Sequence, residues 1–342
     1  MPQTQDTNRQ WILNERPHGA PDENTLRLEK GDVPKPGSGE MLLRTQFLSL
    51  DPYMRGRMSA AESYAEPVEV GGVMTAQVVA EVVESNLDGY APGDQVLAFS
   101  GWQDYAVSDG EMIQKINGLD KPSWALGILG MPGFTAWAGL TRIGQPKEGE
   151  TLVVAAATGP VGATVGQIAK LRGLRAVGIA GGPEKCRHAV EEFGFDACID
   201  HRAPDFAAQL KAAVPDGIDI YFENVGGKVF DAVLPLFNPH ARVPVCGLVA
   251  NYNATALPDG PDRMGFLMSQ ILIKKLTVQG FIIWDTFGHL YPEFIAEMQP
   301  WLANGEISYT EEMIDGLEAA PEAFIGLLEG KNFGKRVIRV GD

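Results

Sequence analysis

Residues 151–173 read TLVVAAATGPVGATVGQIAKLRG, an apolar strand followed by a glycine-rich turn and a helix. Three glycines allow a tight turn and let backbone N–H groups approach a pyrophosphate at the positive end of the helix: Gly159, Gly162 and Gly166. Pro160 suits the first helical turn, where its missing N–H would have no partner. Ala157 replaces the first glycine of the plain G-x-G-x-x-G motif, so close helix–strand packing is the alternative explanation. The segment predicts a dinucleotide-binding turn.

Apolar runs alternate with segments of helical period from residue 126 to about residue 304. After the strand at residue 151 the further apolar runs are RAVGIAG (175–181), ACID (197–200), IDIYFENVG (218–226), ARVPVCG (241–247) and LTVQGFII (276–283). Continuous apolar strands between helices indicate a parallel sheet that is covered on both faces. The predicted fold class is therefore α/β, with a doubly wound parallel sheet of the Rossmann type.

The rest of the chain has a different pattern. Residues 1–125 contain short strand-like runs between Gly, Pro and Asp clusters, without long helical periods. After about residue 305 the pattern is irregular and ends in KRVIRV, which predicts a strand. We expect this last segment to fold back onto the first. The predicted domains are residues 1–125 with 305–342, and residues 126–304.

The composition excludes several classes of partner. The net charge of −16 disfavours nucleic acid and anionic lipid, because such a surface repels phosphate. Three cysteines are too few for a disulfide framework and indicate a reducing, cytoplasmic setting. The first residues lack the pattern of a signal peptide, and the most apolar stretch, 125–140, is too short to span a bilayer.

Metal ligands are scarce in the first part of the chain. Residues 1–125 contain no cysteine, and His18 is their only histidine. This excludes a Cys/His zinc site there, and three cysteines cannot form a four-cysteine site. We therefore expect no metal, so a bound cofactor must supply any redox chemistry.

The end of the second strand bears on which dinucleotide would bind. An NAD site places an acidic residue there for the ribose hydroxyls, but this strand ends in Ala180 and two glycines. Lys185 follows and can neutralise a 2′-phosphate, and Arg202, after the third strand, is a second candidate. Glu184 argues mildly for NAD, although an acidic residue also suits the first turn of a helix. A solvated helix residue is the alternative for Lys185.

Several further stretches resemble the medium-chain dehydrogenase/reductase superfamily, in its zinc-free branch of prostaglandin/leukotriene reductases and alkenal double-bond reductases. The resemblance lies in SLDPYMRGRM (49–58), GMPGFTAWAGL (130–140), YFENVGG (221–227), CGLVANYNAT (246–255) and GKNFGKRVIRV (330–340). Residues 180–206 and 260–268 resemble the bacterial NADPH-dependent curcumin reductases in particular. The resemblance covers nearly the whole chain.

The resemblance implies a GroES-like first domain, a Rossmann domain that binds NADPH, and a homodimer with a FIIW strand (281–284) near the join. It assigns the phosphate loop to Pro160, Val161, Gly162 and Ala163 and the 2′-phosphate lysine to Lys185. His201 stands where family members have a tyrosine near that phosphate. The remaining implied cofactor contacts are Asn224, Cys246, Gly247, Leu248, Val249, Tyr252, Phe281, Ile282, Ile283 and Asn332.

The reaction that the resemblance implies is reduction of the carbon–carbon double bond of α,β-unsaturated ketones and aldehydes. Curcumin-like enones, alkenals and oxo-eicosanoid-like compounds are the implied substrates. Hydride passes to the β-carbon, and a donor aimed at the carbonyl oxygen stabilises the enolate. Tyr252 matches the tyrosine assigned to that role, with a packing aromatic as its alternative. Tyr53 matches a second pocket tyrosine, which either contacts the carbonyl or only lines the pocket.

Two other functions fit the same residues. One is a quinone reductase of the same fold. The other is a protein that binds NADPH with little turnover, since fold alone does not fix function. The tyrosines at 53 and 252, together with the full set of cofactor residues, favour the enone reductase.

Overall fold

The computed structural model of the chain describes residues 7–256 and 261–341. Two compact units share these residues: Met1–Leu126 with Glu311–Asp342, and Gly127–Thr310. The boundaries predicted from the sequence come after residues 125 and 304, whereas the two units divide after Leu126 and Thr310.

The first unit contains mainly short strands, as the short apolar runs of the sequence predict. Its elements are β1 (Thr7–Leu13), β2 (Leu26–Asp32), β3 (Met41–Ser49), α1 (Met54–Arg57), β4 (Val78–Ser85), β5 (Gln95–Ala98), β6 (Tyr105–Ser108) and β7 (Gln114–Lys115). β1 and β2 form an antiparallel pair, and β3 lies between β4 and β6. A single 3₁₀ turn, Pro122–Leu126, ends this part of the unit.

The second unit alternates strands and helices as the sequence predicts. Its elements are α2 (Met131–Ala138), β8 (Thr151–Ala155), α3 (Pro160–Leu171), β9 (Arg175–Ala180), α4 (Pro183–Glu191), β10 (Ala197–Asp200), α5 (Phe206–Ala213), β11 (Ile218–Phe222), α6 (Gly227–Val233), β12 (Phe237–Val245), α7 (Met264–Lys274), β13 (Thr277–Gly280), α8 (Ile283–Phe287) and α9 (Tyr291–Ala303). A π-helical segment, Gly139–Gly144, continues α2.

The sheet of the second unit has the order β10-β9-β8-β11-β12-β13, and every neighbouring pair is parallel. In order of appearance this is 3-2-1-4-5-6, which is the Rossmann order. The central strands β8 and β9 are covered on both faces: Leu152, Val153, Ala176 and Val177 have no exposed surface. The predicted doubly wound parallel sheet is confirmed, as is a separate unit that contains its own β-sheet.

The C-terminal segment returns to the first unit with β14 (Glu311–Asp315), α10 (Ala320–Leu328) and β15 (Lys335–Arg339). β15 pairs with β3 and β14, so the last strand completes the sheet that the N-terminal residues begin. Phe324 on α10 packs edge-on against the buried Trp102, with ring centroids 5.7 Å apart. The irregular pattern expected after residue 305 is therefore wrong for β14 and α10, which lie on either side of Gly316 and are too short for a period to show.

The expected FIIW strand is also wrong. β13 ends at Gly280, and Ile283 already begins α8. The hydroxyl of Thr286 accepts the N–H of Ile282 at 3.2 Å, so this donor is turned away from strand pairing and into the start of the helix. Phe281 and Ile283 are buried by this bend, whereas Ile282 is exposed.

Candidate functional site

The turn after β8 is the first part of the site. Ala156 has a left-handed backbone, with φ of 54°, and its carbonyl oxygen accepts the Gly159 N–H at 2.9 Å. That oxygen also lies against the next turn of the chain: a Cβ at Gly162 would meet it at 2.3 Å. Glycine is therefore required at 162 by close backbone approach, which is the contact that a phosphate-binding turn needs.

The start of α3 presents two backbone donors. Of the first four N–H positions of a helix, none has an intrahelical partner. Here Gly159 is already bonded to Ala156, and Pro160 has no N–H, which leaves Val161 and Gly162. The Ala163 N–H is bonded to the Gly159 carbonyl at 2.9 Å and belongs to the helix proper. Two adjacent N–H groups at a helix start fit a pyrophosphate.

A cluster of cationic and imidazole groups surrounds the glycines after β9. A Cβ at Gly181 would lie 3.0 Å from His201 Nε2 and 3.1 Å from Arg202 Nε. The Asp200 carboxylate holds this loop by accepting the N–H groups of Gly182 and Arg202, both at 2.9 Å. The structure thus brings Arg202, the second cation of the sequence analysis, to the end of the second parallel strand.

Electrostatics within this cluster favour an incoming anion. Burial lowers the pKa of His201, and the positive charges of Arg202 and Lys185 lower it further. His201 is therefore neutral near pH 7 and can hydrogen-bond a phosphate without adding a full charge. β9 ends in Ala180 and two glycines, so no carboxylate occupies the strand end where an NAD site places its ribose ligand. The residues present fit a 2′-phosphate.

The ends of β11 and β12 form the other half of the site. Asn224 follows β11, and its Nδ2 donates to the Ala155 carbonyl at 3.0 Å, which ties this loop to the end of β8. The residues from Cys246 to Val249 follow β12. Burial, and then the charge of Glu223, raise the pKa of Cys246 to about 12, so its thiol stays neutral. The predicted cofactor residues 224 and 246–249 therefore lie at one edge of the sheet.

Tyr252 follows a 3₁₀ turn, Val249–Asn251. Its hydroxyl lies over the strand-end loop, since a Cβ at Gly247 would be 3.2 Å from Tyr252 Oη and 3.5 Å from the Asn224 carbonyl. Ligands of doubly wound sheets bind outside the carboxyl ends of the strands, which is where this hydroxyl lies.

The segment Phe281–Ile283 is packed rather than open. Phe281 contacts Phe222 edge-on with ring centroids 6.4 Å apart, and both rings close on Gly139. Ile283 is buried and Ile282 is exposed. The side chain of Phe281 is thus part of the apolar packing beneath the strand ends.

Two predicted site residues belong to the first unit. Tyr53 immediately precedes α1, where burial raises the pKa of its hydroxyl and Asp51 raises it further, so it remains a neutral phenol. The Arg57 guanidinium lies 5.7 Å from its ring centroid and 4.6 Å from that of Tyr64. Asn332 donates to the Gly334 carbonyl at 3.0 Å in the turn before β15.

The residues at 7–256 and 261–341 contain no group of three or more His, Cys, Asp or Glu side chains able to hold a metal ion. Within the same ranges, no helix is long and apolar enough to cross a membrane.

Glu223 had no role predicted from the sequence; it is 2% exposed and lies at the end of β11, where its carbonyl accepts the N–H groups of Cys246 and Gly247 after β12. The signal was an acidic residue directly after the apolar residues Ile220–Phe222, where a charge without partners would be costly.

Comparison with known proteins identifies the same two parts. Residues 9–116 match the family described as the N-terminal domain of oxidoreductase, and residues 160–300 match the zinc-binding dehydrogenase family. The described residues of the second match include no metal-binding cluster.

Full-length relatives give a narrower result. The chain is 63% identical to the NADPH-dependent curcumin reductase of Escherichia coli K12, over 99% of each protein. It is 40% identical to the NADP(+)-dependent 2-alkenal reductase of Nicotiana tabacum, over 98% of each. A crystal structure of CurA from Vibrio vulnificus in complex with NADPH is 60% identical and superposes with a TM-score of 0.95, covering 98% of this chain and 99% of that one. The chain therefore belongs to the medium-chain dehydrogenase/reductase superfamily, in the branch that contains the curcumin, 2-alkenal and prostaglandin reductases.

Proposed function

We propose that this chain uses NADPH to reduce the carbon–carbon double bond of α,β-unsaturated ketones and aldehydes, including curcumin-like enones, alkenals and oxo-eicosanoid-like compounds. The observation that carries the proposal is the position of the Tyr252 hydroxyl beside Gly247, on the same sheet edge as the phosphate turn. Relatives whose names specify NADPH and enone or alkenal substrates support it.

The second unit is the proposed cofactor domain. Val161 and Gly162 would donate their N–H groups to the pyrophosphate, with Pro160 and Ala163 shaping the loop. Lys185, His201 and Arg202 would hold the 2′-phosphate, the two cations by charge and the imidazole by a hydrogen bond. NADPH, when bound, supplies the hydride for the β-carbon of the substrate.

The nicotinamide end would be held by the two strand-end loops. Asn224 and the loop 246–249 would flank it on one side. Residues 281–283 would support it from below through the packed rings of Phe281 and Phe222. Asn332, from the proposed substrate domain formed by the first unit, would add one further polar contact.

Tyr252 is the proposed enolate donor. When hydride reaches the β-carbon, negative charge develops on the carbonyl oxygen, and a neutral phenol can donate to it without a cost in charge. Tyr53 is proposed to line the substrate pocket from the first unit and to give a second hydrogen bond. Its raised pKa keeps it protonated, which suits a donor.

A homodimer is the proposed assembly, and an exposed apolar surface supports it. α7 has no buried residue, and Met264, Phe266, Met268, Leu272 and Ile273 on it are each at least 48% exposed. β13 is the edge strand of the parallel sheet, and all four of its residues are exposed. A second copy of the chain would cover the apolar side chains of α7 and pair with the edge strand β13. Neither the apolar surface nor the strand edge would then be exposed to solvent.

The proposed setting is the cytoplasm, where three cysteines without disulfides stay reduced. The proposed reaction needs no metal ion, since the hydride comes from the cofactor and the enolate is stabilised by hydroxyl groups.

Anaerobic oxidation of NADPH with a panel of substrates tests the proposal. The panel pairs each enone with its saturated ketone and adds a simple benzoquinone, and the product is identified by NMR. We expect turnover of enones to saturated ketones and of alkenals to saturated aldehydes, with the carbonyl group intact. Turnover of benzoquinone alone would favour the quinone reductase, and tight NADPH binding without turnover of any compound would favour a binding protein.

A further inference from the structure

Glu223 is a buried carboxylate directly after β11, and the proposed chemistry does not use it. Its Oε1 accepts three hydrogen bonds, from the Val225 N–H at 2.7 Å, the Gly226 N–H at 2.8 Å and the Tyr221 hydroxyl at 3.1 Å. Burial raises the pKa of the Glu223 carboxyl, whereas these three hydrogen bonds favour its charged form and lower the pKa. One side chain therefore fixes the shape of the turn 223–226.

The loop after β12 is hydrogen-bonded to this turn and not only to its own strand. Three successive carbonyl oxygens of the turn accept four N–H groups of the loop. Glu223 O accepts those of Cys246 at 2.9 Å and Gly247 at 3.2 Å, Asn224 O accepts that of Val249 at 3.2 Å, and Val225 O accepts that of Ala250 at 3.0 Å. The position of the loop is thus set by the turn.

Tyr252 is carried by the same loop. Its N–H is bonded to the Val249 carbonyl at 3.3 Å. At the other end of the side chain, its hydroxyl lies beside Gly247, whose own N–H is bonded to Glu223. A change in the shape of the turn therefore moves both ends of Tyr252.

The opposite end of β11 offers a comparison. The Asp219 carboxylate accepts the Thr151 N–H through Oδ2 and the Asn238 side-chain amide through Oδ1, both at 2.9 Å. It ties two elements of the same sheet together as Glu223 does, but at the end where β8 begins. Asp219 is therefore a matched control for a carboxylate with a structural role only.

We infer that Glu223 is a positioning residue for hydride transfer, because its carboxylate holds the turn on which the Tyr252 loop is aligned. This inference rests on the proposed role of Tyr252 as enolate donor. It predicts that loss of the Glu223 charge slows the chemical step only while the Tyr252 hydroxyl is present.

The test is a double-mutant cycle of Glu223→Gln and Tyr252→Phe, with single-turnover hydride transfer measured at saturating NADPH and enone. Glu223→Gln keeps an acceptor oxygen and the side-chain volume. We expect it to slow transfer about 10-fold, since small misplacements of a reacting group have effects up to about 100-fold. Because Asn224 and the loop 246–249 belong to the same hydrogen-bonded network, saturating NADPH keeps any change in cofactor affinity out of the measured rate. In the Tyr252→Phe background, Glu223→Gln should cause no further loss.

Asp219→Asn is the control, and it should lower the melting temperature while leaving the transfer rate within about twofold of wild type. If Glu223→Gln does not fold, Tyr221→Phe removes one of the three donors and should give a smaller fall with the same dependence on Tyr252.

A wild-type transfer rate in Glu223→Gln, or equal losses in both backgrounds, would overturn the inference and leave the proposed function intact. A wild-type rate in Tyr252→Phe alone would overturn the role of Tyr252 and this inference with it, so that single variant tells the two failures apart.

Discussion

The hydroxyl of Tyr252 lies against the backbone of Gly247, and a Cβ there would be only 3.2 Å from Tyr252 Oη. A side chain at 247 would have to displace this oxygen or be displaced by it. The glycine thus leaves room for the phenol oxygen beside the end of β12, where the proposed enolate forms.

Tyr252→Phe keeps the ring and removes only the hydroxyl. Because charge on the carbonyl oxygen is largest in the transition state, we expect a fall in single-turnover rate of roughly 10- to 1,000-fold, the upper end matching loss of one oxyanion donor. NADPH affinity should change little. Tyr291→Phe is the control, since its hydroxyl bonds the Leu129 carbonyl at 2.8 Å within the same unit and should affect stability alone.

Lys185 and Arg202 should set the preference for NADPH. We expect Lys185→Ala to weaken NADPH binding by about 1.5–3 kcal/mol and to spare NADH, because only NADPH carries the 2′-phosphate. Arg202→Ala should shift the preference in the same direction. Arg187→Ala, an exposed arginine on the same helix as Lys185, is the control. Titration of both cofactors decides the matter, and equal losses for NADPH and NADH would contradict the assignment.

Gly162→Ala should damage binding of both cofactors. Its Cβ would lie 2.3 Å from the Ala156 carbonyl oxygen, so the turn must open and the two N–H groups must move. Overpacking of this kind costs about 1–3 kcal/mol of stability. Gly159→Ala is the matched control, because its Cβ would meet the same oxygen at 3.3 Å and its φ of −76° suits any residue. Binding unchanged in Gly162→Ala would mean that the turn does not hold phosphate.

The parallel sheet could be predicted because buried parallel strands are apolar throughout and therefore visible as runs. The same signal failed at residues 281–284, where Phe281 and Ile283 are apolar because they are buried beneath a bend and not because they pair in a strand. An apolar residue indicates that a position is buried, but it does not indicate whether the backbone there is a strand or a bend. In this segment the Thr286 hydroxyl, four residues on from Ile282, accepts the Ile282 N–H and so marks the bend.

Less of the site than of the fold could be predicted from the sequence. Lys185 and Arg202 are 17 positions apart, and their approach depends on β9 and β10 being neighbours in the sheet. The role of Glu223 could not be predicted, because two of the three donors to its carboxylate are backbone N–H groups, which any sequence supplies. A buried acidic residue after an apolar strand indicates that its carboxylate has hydrogen-bond donors nearby, but it does not identify those donors.

Activity should survive removal of metal ions. The residues described at 160–256 and 261–300 include Cys186, Cys198 and Cys246 but no cluster that could bind zinc, although this part of the chain matches a zinc-binding dehydrogenase family. Prolonged dialysis against a chelator should leave the rate of enone reduction unchanged. Stoichiometric zinc in elemental analysis, with activity restored by zinc alone, would refute the prediction.

The proposed dimer should come apart when charge is placed on α7. Leu272 is 78% exposed and Ile273 is 66% exposed, which is costly for aliphatic side chains unless a partner covers them. We expect wild-type protein to sediment at twice the chain mass of 36.9 kDa and Leu272→Glu to shift toward the single-chain mass. A carboxylate buried in an apolar interface without a partner is strongly disfavoured, so the shift should be visible at micromolar concentration. Leu171→Glu, at a 40% exposed position on α3, is the control and should leave the mass unchanged. A single-chain mass for the wild type would contradict the homodimer, and a Leu272→Glu variant that stays at twice the chain mass would place the interface elsewhere.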